Sequence, residues 1–461
     1  MANLHQTGTD LEKNNRGSWN SKLGFILAAA GSAVGLGNIW GFPTQVADNG
    51  GAAFIFIYLI CCVAIGFPVM IAELAIGRHT EKNPVGAFKA LSNGNKFAPL
   101  IGYWGVLCGF MILSFYLVIA GWTLGYAFEG ILNQFGFDAL ATLLTDLGNG
   151  TKNAVFTLLF MLFTILIITG GVNKGIERAT KTMMPLLLII LVGLIVFIFT
   201  QDGAIEGLAV YVKPDFSTID GSLMVSALGQ AFFSLSLGMG ALITYGSYLN
   251  RKQNLVESAA YVTLFDIAIA VIAGLLIIPA MYVAQSSGVS IFDPKTGTLF
   301  SSTTLVFDVL PQMFDTLGGW LGVLLGFIFF ILLGLAALTS SISLLEVPVS
   351  YVIDEFSVRR KTAAWGVGGL VSILAVIISY DLSLIDLFVA IFNEIGLPLG
   401  GLLISLFLGY FWKTELALLE IQDGNPSFPT STGGSVWVFF IKYVCPLLIA
   451  IVLVNTIIIV I

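Results

Sequence analysis

The sequence predicts an all-α integral membrane protein with about eleven transmembrane helices. Of its 461 residues, 57% are hydrophobic and only 10% are charged, a composition that excludes an ordinary soluble domain. Apolar runs of membrane-spanning length recur along the whole chain, and the first and sixth of them are interrupted by glycine and serine. The predicted spans lie at about 19–44, 52–77, 99–127, 151–170, 181–200, 222–248, 257–284, 316–352, 362–379, 382–412 and 436–461.

The distribution of positive charge predicts how the chain is oriented in the membrane. If the N-terminus is cytoplasmic, all of the 20 lysines and arginines except Lys152, Lys213 and Lys295 fall on the cytoplasmic side, as the positive-inside rule requires. Residues 1–18 are polar and do not resemble a removable signal peptide, so we expect a cytoplasmic tail. The C-terminus is then external, in a multi-pass protein of the plasma membrane or a cell inner membrane.

Other function classes find little support in the sequence. The net charge of −7 comes with no basic cluster, which argues against nucleic-acid binding. The two histidines, His5 and His79, are not at mid-membrane, and no group of cysteine, histidine and carboxylate residues has a spacing suited to metal or nucleophilic chemistry. We therefore expect neither an enzyme nor a transition-metal protein.

The first predicted helix contains a break. Residues 31–38, GSAVGLGN, hold three glycines at mid-depth in the membrane, where loose backbone is tolerated only if it lines a cavity. Freed carbonyls there can coordinate a cation, and freed amides of the following half-helix can face an anionic group. A single stretch of this kind more often marks close helix packing. A second interrupted helix is therefore needed to favour a binding site over packing.

A second break lies in the sixth predicted helix, at residues 231–240, AFFSLSLGMG. Two interrupted helices in corresponding positions of two five-helix halves are what an inverted-repeat secondary transporter predicts, with its binding site at the interface of the repeats. We expect one transporter domain over 1–461, with repeats at 19–200 and 222–412 and an additional helix at 436–461.

Polar side chains inside the predicted spans are further candidates for a site. Asp266 in the seventh helix is a costly mid-membrane carboxylate, so we take it as functional, whereas Tyr116 in the third gains weight only from its neighbours. The hydroxyls of residues 339–341 either bond the preceding helical turn or form an oxygen site for a hard cation. Further carboxylates, some of which have the alternative role of accepting backbone hydrogen bonds, are Glu73, Glu346, Asp386 and Glu394.

At these residues the chain resembles the neurotransmitter:sodium symporter family, whose bacterial members have the LeuT-like fold, a 5+5 inverted repeat with helices 1 and 6 broken. The resemblance covers essentially the whole chain. It implies a sodium-coupled symporter that carries a small-molecule substrate across the lipid bilayer. The matching stretches are 16–19 (RGSW), 31–43, 73–78 (ELAIGR), 121–125 (GWTLG), 232–240, 338–341 (LTSS) and 397–401 (LPLGG).

The resemblance implies two bound sodium ions and no chloride. Chloride-dependent members place a serine at the position of Ala270 and an asparagine at that of Asp266, so here the carboxylate supplies the negative charge beside the ion. The first sodium site would consist of the Ala33 carbonyl, Asn38, Ser234 and Asp266. The second would consist of the carbonyls of Gly31, Val34 and Ala336 and the hydroxyls of Thr339 and Ser340.

By the same resemblance, a pocket between the two breaks would hold the substrate. Amides near Leu36 and Gly37, with the Tyr116 hydroxyl, would receive a carboxylate. Carbonyls around Phe233, Ser234 and Ser236 would receive an ammonium. Met239 lies between two glycines and is flexible enough to admit side chains of different size. The full implied set is Ala33, Leu36, Gly37, Ile112, Tyr116, Phe233, Ser234, Ser236, Met239, Ser340 and Leu344.

The two gates compare differently with the family pattern. At the outer gate, Gly41 stands in place of an arginine and Val389 in place of its acidic partner, so both ends of one ion pair are missing together. The family pattern therefore does not specify which residues close the outer side. The implied inner gate consists of Arg16, Trp19, Tyr248 and Asp354.

We expect a sodium-coupled symporter that imports a small amphipathic solute by alternating access, with hydrophobic or aromatic L-amino acids as the first candidates. Two alternatives stay open. One is Na⁺-dependent uptake of an amine or an indole-like solute without a carboxylate, and the other is a membrane sensor that binds solute without transporting it. We expect a monomer or a weak dimer.

Overall fold

The computed structural model describes residues 17–292 and 305–460, with side chains up to residue 458. Each predicted span corresponds to one helix or to a pair of half-helices. We number them α1 (Lys22–Ala33 and Gly37–Asp48), α2 (Ala52–Thr80), α3 (Ala98–Gln134), α4 (Gly150–Thr169), α5 (Val172–Ile198), α6 (Gly221–Ser234 and Ala241–Gly246), α7 (Leu255–Ser286), α8 (Gly319–Phe356), α9 (Arg360–Tyr380), α10 (Ser383–Gln422) and α11 (Thr432–Ile458). Four short helices between them are Pro84–Leu91, Asp138–Thr145, Ala204–Val212 and Leu310–Leu317.

Among the described residues, 9 helices are long and apolar enough to cross a membrane, and the two halves of α1, bent by 52° at their junction, make a tenth span when taken together. The two pieces of α6 are too short for that test because the break divides them. The predicted fold class, an all-helical membrane protein with helices 1 and 6 broken, is confirmed. The predicted count of about eleven spans is compatible with the structure.

The break in α1 follows directly from its backbone. Val34 takes extended angles (φ −76°, ψ 101°), which ends the first half at Ala33. The chain becomes helical again in a wide π-helical turn over Gly37–Gly41, and Pro43 lies in the first turn of the α-helix that follows. The residues between the halves are buried, and side chains take part in bonding their backbone: the Gly35 and Leu36 amides donate to the Asn38 side chain and the Tyr116 hydroxyl, and the Val34 carbonyl accepts from the Thr339 hydroxyl.

The break in α6 uses residues in the left-handed backbone region. Ser236, Gly238 and Gly240 have φ values of 55°, 83° and 76°, which glycine adopts without steric cost. A side chain at Gly238 would also collide with the Leu397 carbonyl. The freed Gly238 amide donates to Oε1 of buried Glu73 at 2.8 Å. Glu73 therefore accepts a hydrogen bond from a backbone amide that the break has released from the helix.

The two breaks lie side by side in the centre of the bundle. The Ser236 hydroxyl of α6 donates to the Ser32 carbonyl of α1 at 2.9 Å. The first half of α1 packs against α5, α7 and α8, and α3 packs along α8. We call the end of the bundle near the start of α1 the Trp19 side, and the opposite end, where Trp40 contacts Phe307, the Phe307 side.

Candidate functional site

The hydrogen-bond network around Asp266 joins four helices. The Asp266 carboxylate accepts from the Asn38 amide nitrogen at 2.7 Å and from the Ser234 hydroxyl at 2.8 and 2.9 Å. The Tyr58 hydroxyl of α2 donates to the same carboxylate at 3.3 Å and lies 3.0 Å from the Ser234 hydroxyl oxygen. Asp266, Asn38, Ser234 and Tyr58 are all completely buried. A buried carboxylate is expensive unless it is paired in this way or binds a cation.

The structure thus brings together the three side chains expected to form the first sodium site. Tyr58 was missed by the sequence reasoning, although a tyrosine inside an otherwise apolar helix carries the same signal that drew attention to Tyr116. Ala33, the fourth predicted member, lies at the break of α1 and lines the cavity described below.

A second group of oxygens lies where α8 passes the break in α1. The Thr339 hydroxyl is 3.1 Å from the Val34 carbonyl oxygen and 2.8 Å from the Ala336 carbonyl oxygen. A Cβ placed on Gly31 would lie 3.4 Å from the Cβ of Thr339. Four of the residues expected at the second sodium site are therefore neighbours in space. The Ser340 hydroxyl, the remaining member, donates instead to the Ser32 carbonyl at 3.1 Å.

The donor set of both groups is chemically uniform. Every side chain or backbone group that the two clusters offer to an ion is an oxygen atom, from carbonyls, hydroxyls, an amide and one carboxylate. Oxygen ligands suit hard cations. The oxygen groups of both clusters therefore suit a hard cation such as Na⁺.

A cavity with an empty volume of about 300 Å³ lies between the breaks. Of the predicted substrate residues, all line it except Leu36 and Ser234. Leu36 takes part through its amide, which donates to the Tyr116 hydroxyl at 3.1 Å, while Ser234 points into the Asp266 network. The cavity lining, which includes two residues that the sequence reasoning missed, Ser32 and Gly35, is Ser32, Ala33, Gly35, Gly37, Ile112, Tyr116, Phe233, Ser236, Met239, Ser340 and Leu344.

Glycine in the first break lets side chains approach the backbone. A Cβ on Gly35 would overlap the Ser340 hydroxyl, and one on Gly37 would lie 2.9 Å from the Phe233 ring, closer than real side chains pack. The cavity therefore combines backbone and hydroxyl groups of the breaks with the apolar walls of Ile112 and Leu344. The lining therefore offers polar groups to one end of a small solute and apolar walls to the other.

On the Trp19 side, aromatic rings close the bundle. The Trp19 indole donates to the Tyr245 carbonyl at 3.0 Å, and its ring packs edge-on against Tyr245 and Tyr248, with centroids 5.2 and 6.2 Å apart. Asp354 accepts from the backbone and side-chain nitrogens of Asn83 at 2.8 and 3.0 Å. Arg16, the fourth residue of the predicted inner gate, lies outside the described residues.

Next to this gate lies an ion pair that the sequence reasoning did not identify. Glu346 accepts from both terminal nitrogens of Arg360, at 2.7 and 2.9 Å, and from the Tyr248 hydroxyl at 2.7 Å. Glu346 therefore binds side chains, and the backbone alternative considered from the sequence does not describe it. The other two carboxylate candidates, Asp386 and Glu394, are exposed and do not contribute to the cavity.

On the Phe307 side, Gly41 lies beside an amide rather than a carboxylate. A Cβ on Gly41 would lie 3.6 Å from Oε1 of Gln230, and the Gln230 amide donates to the Gly37 carbonyl at 2.7 Å. Val389, at the position expected for the acidic partner, begins a π-helical turn in α10. Buried Phe307 packs against four aromatic rings, those of Trp40, Trp122, Tyr126 and Phe330, with centroids 5.0 to 6.4 Å apart.

Similarity to known proteins extends over nearly the whole chain. The sequence model of the sodium:neurotransmitter symporter family matches residues 16–139 and 136–460. An uncharacterised sodium-dependent transporter of Bacillus subtilis is 35% identical over 464 residues, which cover 95% of this chain and 97% of the relative. An uncharacterised sodium-dependent transporter of Haemophilus influenzae is 34% identical over 465 residues, which cover 95% of this chain and 98% of the relative.

A solved structure is similar over the same extent. The crystal structure of MhsT in complex with L-phenylalanine matches with a TM-score of 0.84 and 42% sequence identity. The match covers 96% of this chain and 100% of that one. The two proteins therefore share the arrangement of helices that frames the cavity.

Proposed function

This chain belongs to the sodium:neurotransmitter symporter family, and we propose that the solute it imports together with Na⁺ is a hydrophobic or aromatic L-amino acid. Membership makes it a sodium-dependent transporter in a lipid bilayer rather than an enzyme, as the sequence motifs predicted. The choice of solute rests on the cavity, whose lining combines the polar groups of the two breaks with apolar side chains. The bound L-phenylalanine of MhsT supports the same class.

The proposed pose follows from the polarity of the lining. The Tyr116 hydroxyl and the amides around Leu36 offer donors for the carboxylate, at the start of the second half of α1, where the helix dipole favours a negative charge. The acceptors for the ammonium are the Ser32 carbonyl, which already accepts from two hydroxyls, and the carbonyls around Phe233, Ser234 and Ser236. Apolar walls including Ile112 and Leu344 receive the side chain.

We assign the two oxygen clusters to two sodium ions. The first ion would bind at Ala33, Asn38, Ser234 and Asp266, and the second at Gly31, Val34, Ala336, Thr339 and Ser340. The first cluster joins the Asn38 side chain of α1 to Asp266 of α7, and the second joins the Val34 carbonyl at the break to the Thr339 hydroxyl of α8. An ion in either cluster would stabilise the broken conformation of α1 that also forms the cavity. This shared backbone gives a physical basis for coupling. Because Asp266 supplies a negative charge beside the first ion, the cycle needs no chloride.

The proposed cycle is alternating access. We infer that the repeats span 19–200 and 222–412, with 436–461 outside them, and that the N-terminus and the Trp19 side face the cytoplasm, since the positive charges concentrate there. Ion and solute would bind with the Phe307 side open and leave after the Trp19 side opens. The cavity would thus be exposed to one side of the membrane at a time.

A thermal-shift panel on the purified protein tests the choice of solute. L-Phe, L-Leu and L-Trp should raise the unfolding temperature in NaCl but much less in choline chloride, because a ligand stabilises only the state that it binds. Tryptamine and indole are the matched controls, since they keep the ring but lack the carboxylate. A larger shift with tryptamine or indole than with L-Trp would replace the amino-acid proposal by the amine or indole alternative.

A further inference from the structure

We propose that Glu177 is a positioning residue that latches the first half of α1 onto α5 and thereby sets how readily the Trp19 side opens. The proposal concerns the start of α1, which carries Trp19 at one end and the broken backbone of the site at the other. It rests on the membership of the symporter family and does not depend on which solute is carried.

The Glu177 carboxylate makes three contacts, two of which hold the start of α1. It accepts from the Asn20 amide at 2.8 Å and from the Ser21 hydroxyl at 3.2 Å, and it forms an ion pair with Lys181, one turn further along α5, at 2.6 Å. Only 2% of its side chain is exposed. Because a helix start is the positive end of the helix dipole, a buried carboxylate at this position stabilises the docked α1.

The shapes of the two helices match this attachment. A Cβ on Gly24 would collide with the Glu177 carboxylate, so the glycine allows α1 and α5 to touch. Two turns further on, a Cβ on Gly31 would lie 3.4 Å from Thr180 Cγ2 and also 3.4 Å from Thr339 Cβ. One face of α5 therefore follows the first half of α1 from its start to the second oxygen cluster.

A second carboxylate contacts the same segment in a very different setting. Glu257 of α7 pairs with Lys22 at 2.7 Å, but the two side chains are 42% and 41% exposed. Exposed ion pairs contribute little to stability because solvent screens them, whereas hydrogen bonds to a buried charge are stronger. The attachment to α5 is therefore the stronger of the two carboxylate contacts that break when the start of α1 swings away.

Such a swing would separate two pairs of groups at once. At the start of α1 it removes Asn20 and Ser21 from Glu177, and at the break it moves Gly31 away from Thr180 and Thr339. A sodium ion at the second cluster opposes the same movement. The latch and the ion then act on one rigid half-helix, so weakening the latch should leave the closed state more dependent on Na⁺.

Cysteine labelling of the α1–α5 interface tests the proposal without any solute. Thr180→Cys is the reporter, because Thr180 is buried against Gly31 and becomes accessible to a maleimide only when α1 leaves α5. In choline buffer, Glu177→Gln should raise the labelling rate by about tenfold, the change expected for weakened hydrogen bonds to a charged group. Saturating NaCl should restore most of the protection. Glu257→Gln, the matched control, should label like the parent.

A second pair of variants tests the contact geometry. Gly24→Ala should raise the labelling rate of Thr180→Cys in choline buffer, and it should add nothing in a Glu177→Ala background, where the colliding carboxylate is gone. Three results would each overturn the latch: no increase with Glu177→Gln, an equal increase with Glu257→Gln, or an increase that NaCl leaves unchanged, which indicates general loosening. None of these results bears on the identity of the solute.

Discussion

Gly35→Ala probes whether the first break of α1 forms the substrate site. Gly35 lies between the two halves of the helix, and an added Cβ would overlap the Ser340 hydroxyl and lie 2.8 Å from the Tyr116 hydroxyl oxygen. Both hydroxyls line the cavity, and both are bound to α1 backbone. A single methyl group therefore disturbs the polar groups proposed to hold the solute.

The contacts of Gly35 give the free-energy cost of this substitution. Rotating Ser340 away breaks its hydrogen bond to the Ser32 carbonyl, which contributes about 1 kcal/mol. Inserting a methyl group into a packed site costs about 1–3 kcal/mol more. A total of roughly 2–4 kcal/mol corresponds to about a 25- to 700-fold loss of affinity. We expect this penalty to fall on binding, because the added methyl group lies between the two hydroxyls proposed to contact the solute.

Gly109→Ala is the matched control. A Cβ at Gly109 of α3 would lie 3.8 Å from the Leu344 carbonyl oxygen and 3.9 Å from that of Met239, which are ordinary contacts. The assay is the affinity for L-[³H]phenylalanine in NaCl, measured by scintillation proximity on purified protein. This affinity should fall by about 25-fold or more for Gly35→Ala and change by less than about threefold for Gly109→Ala. Equal affinities of both variants and the parent would refute the assignment of the cavity.

Three further predictions concern the ions and the size of the cavity. Asp266→Ala and Thr339→Ala should each strongly raise the Na⁺ concentration for half-maximal binding, since each removes an oxygen ligand; unchanged Na⁺ responses in both would remove the proposed ion sites. Replacing chloride by gluconate should leave uptake intact, and a loss would show that Asp266 does not substitute for the anion. Met239→Phe should weaken binding of L-Trp more than that of L-Leu, by about 1–3 kcal/mol; an equal loss for both solutes would mean that Met239 is not a cavity wall.

Much of the fold could be predicted because its determinants are local. Spans of apolar residues mark the helices, and glycine and serine at mid-membrane, recurring in corresponding positions of two five-helix halves, mark the two breaks. The bent α1 and the left-handed backbone of Ser236 and Gly238 are where these signals placed them. The family resemblance implied most of the residues that line the cavity, because many of them lie in or next to the two breaks.

The missed residues depend on contacts between distant segments. Tyr58 joins the Asp266 network from α2, and Phe307 reaches the aromatic cluster from the segment before α8. Glu346 meets Arg360 only because the chain turns back between α8 and α9. Charge and aromatic character mark such residues as candidates, but which partner each one reaches is decided by helix packing. Sequence patterns alone do not specify that packing.

Sodium-driven accumulation in proteoliposomes distinguishes a symporter from a protein that only binds its solute. Vesicles loaded with potassium and diluted into NaCl should concentrate L-[³H]phenylalanine above its external level, and dissipating the sodium gradient with an ionophore should release it. Excess L-Leu and L-Trp should compete, whereas tryptamine and indole should not. Binding that depends on Na⁺ without any accumulation against the gradient would rule out sodium-coupled import and would instead support a sensor that binds its solute but does not transport it.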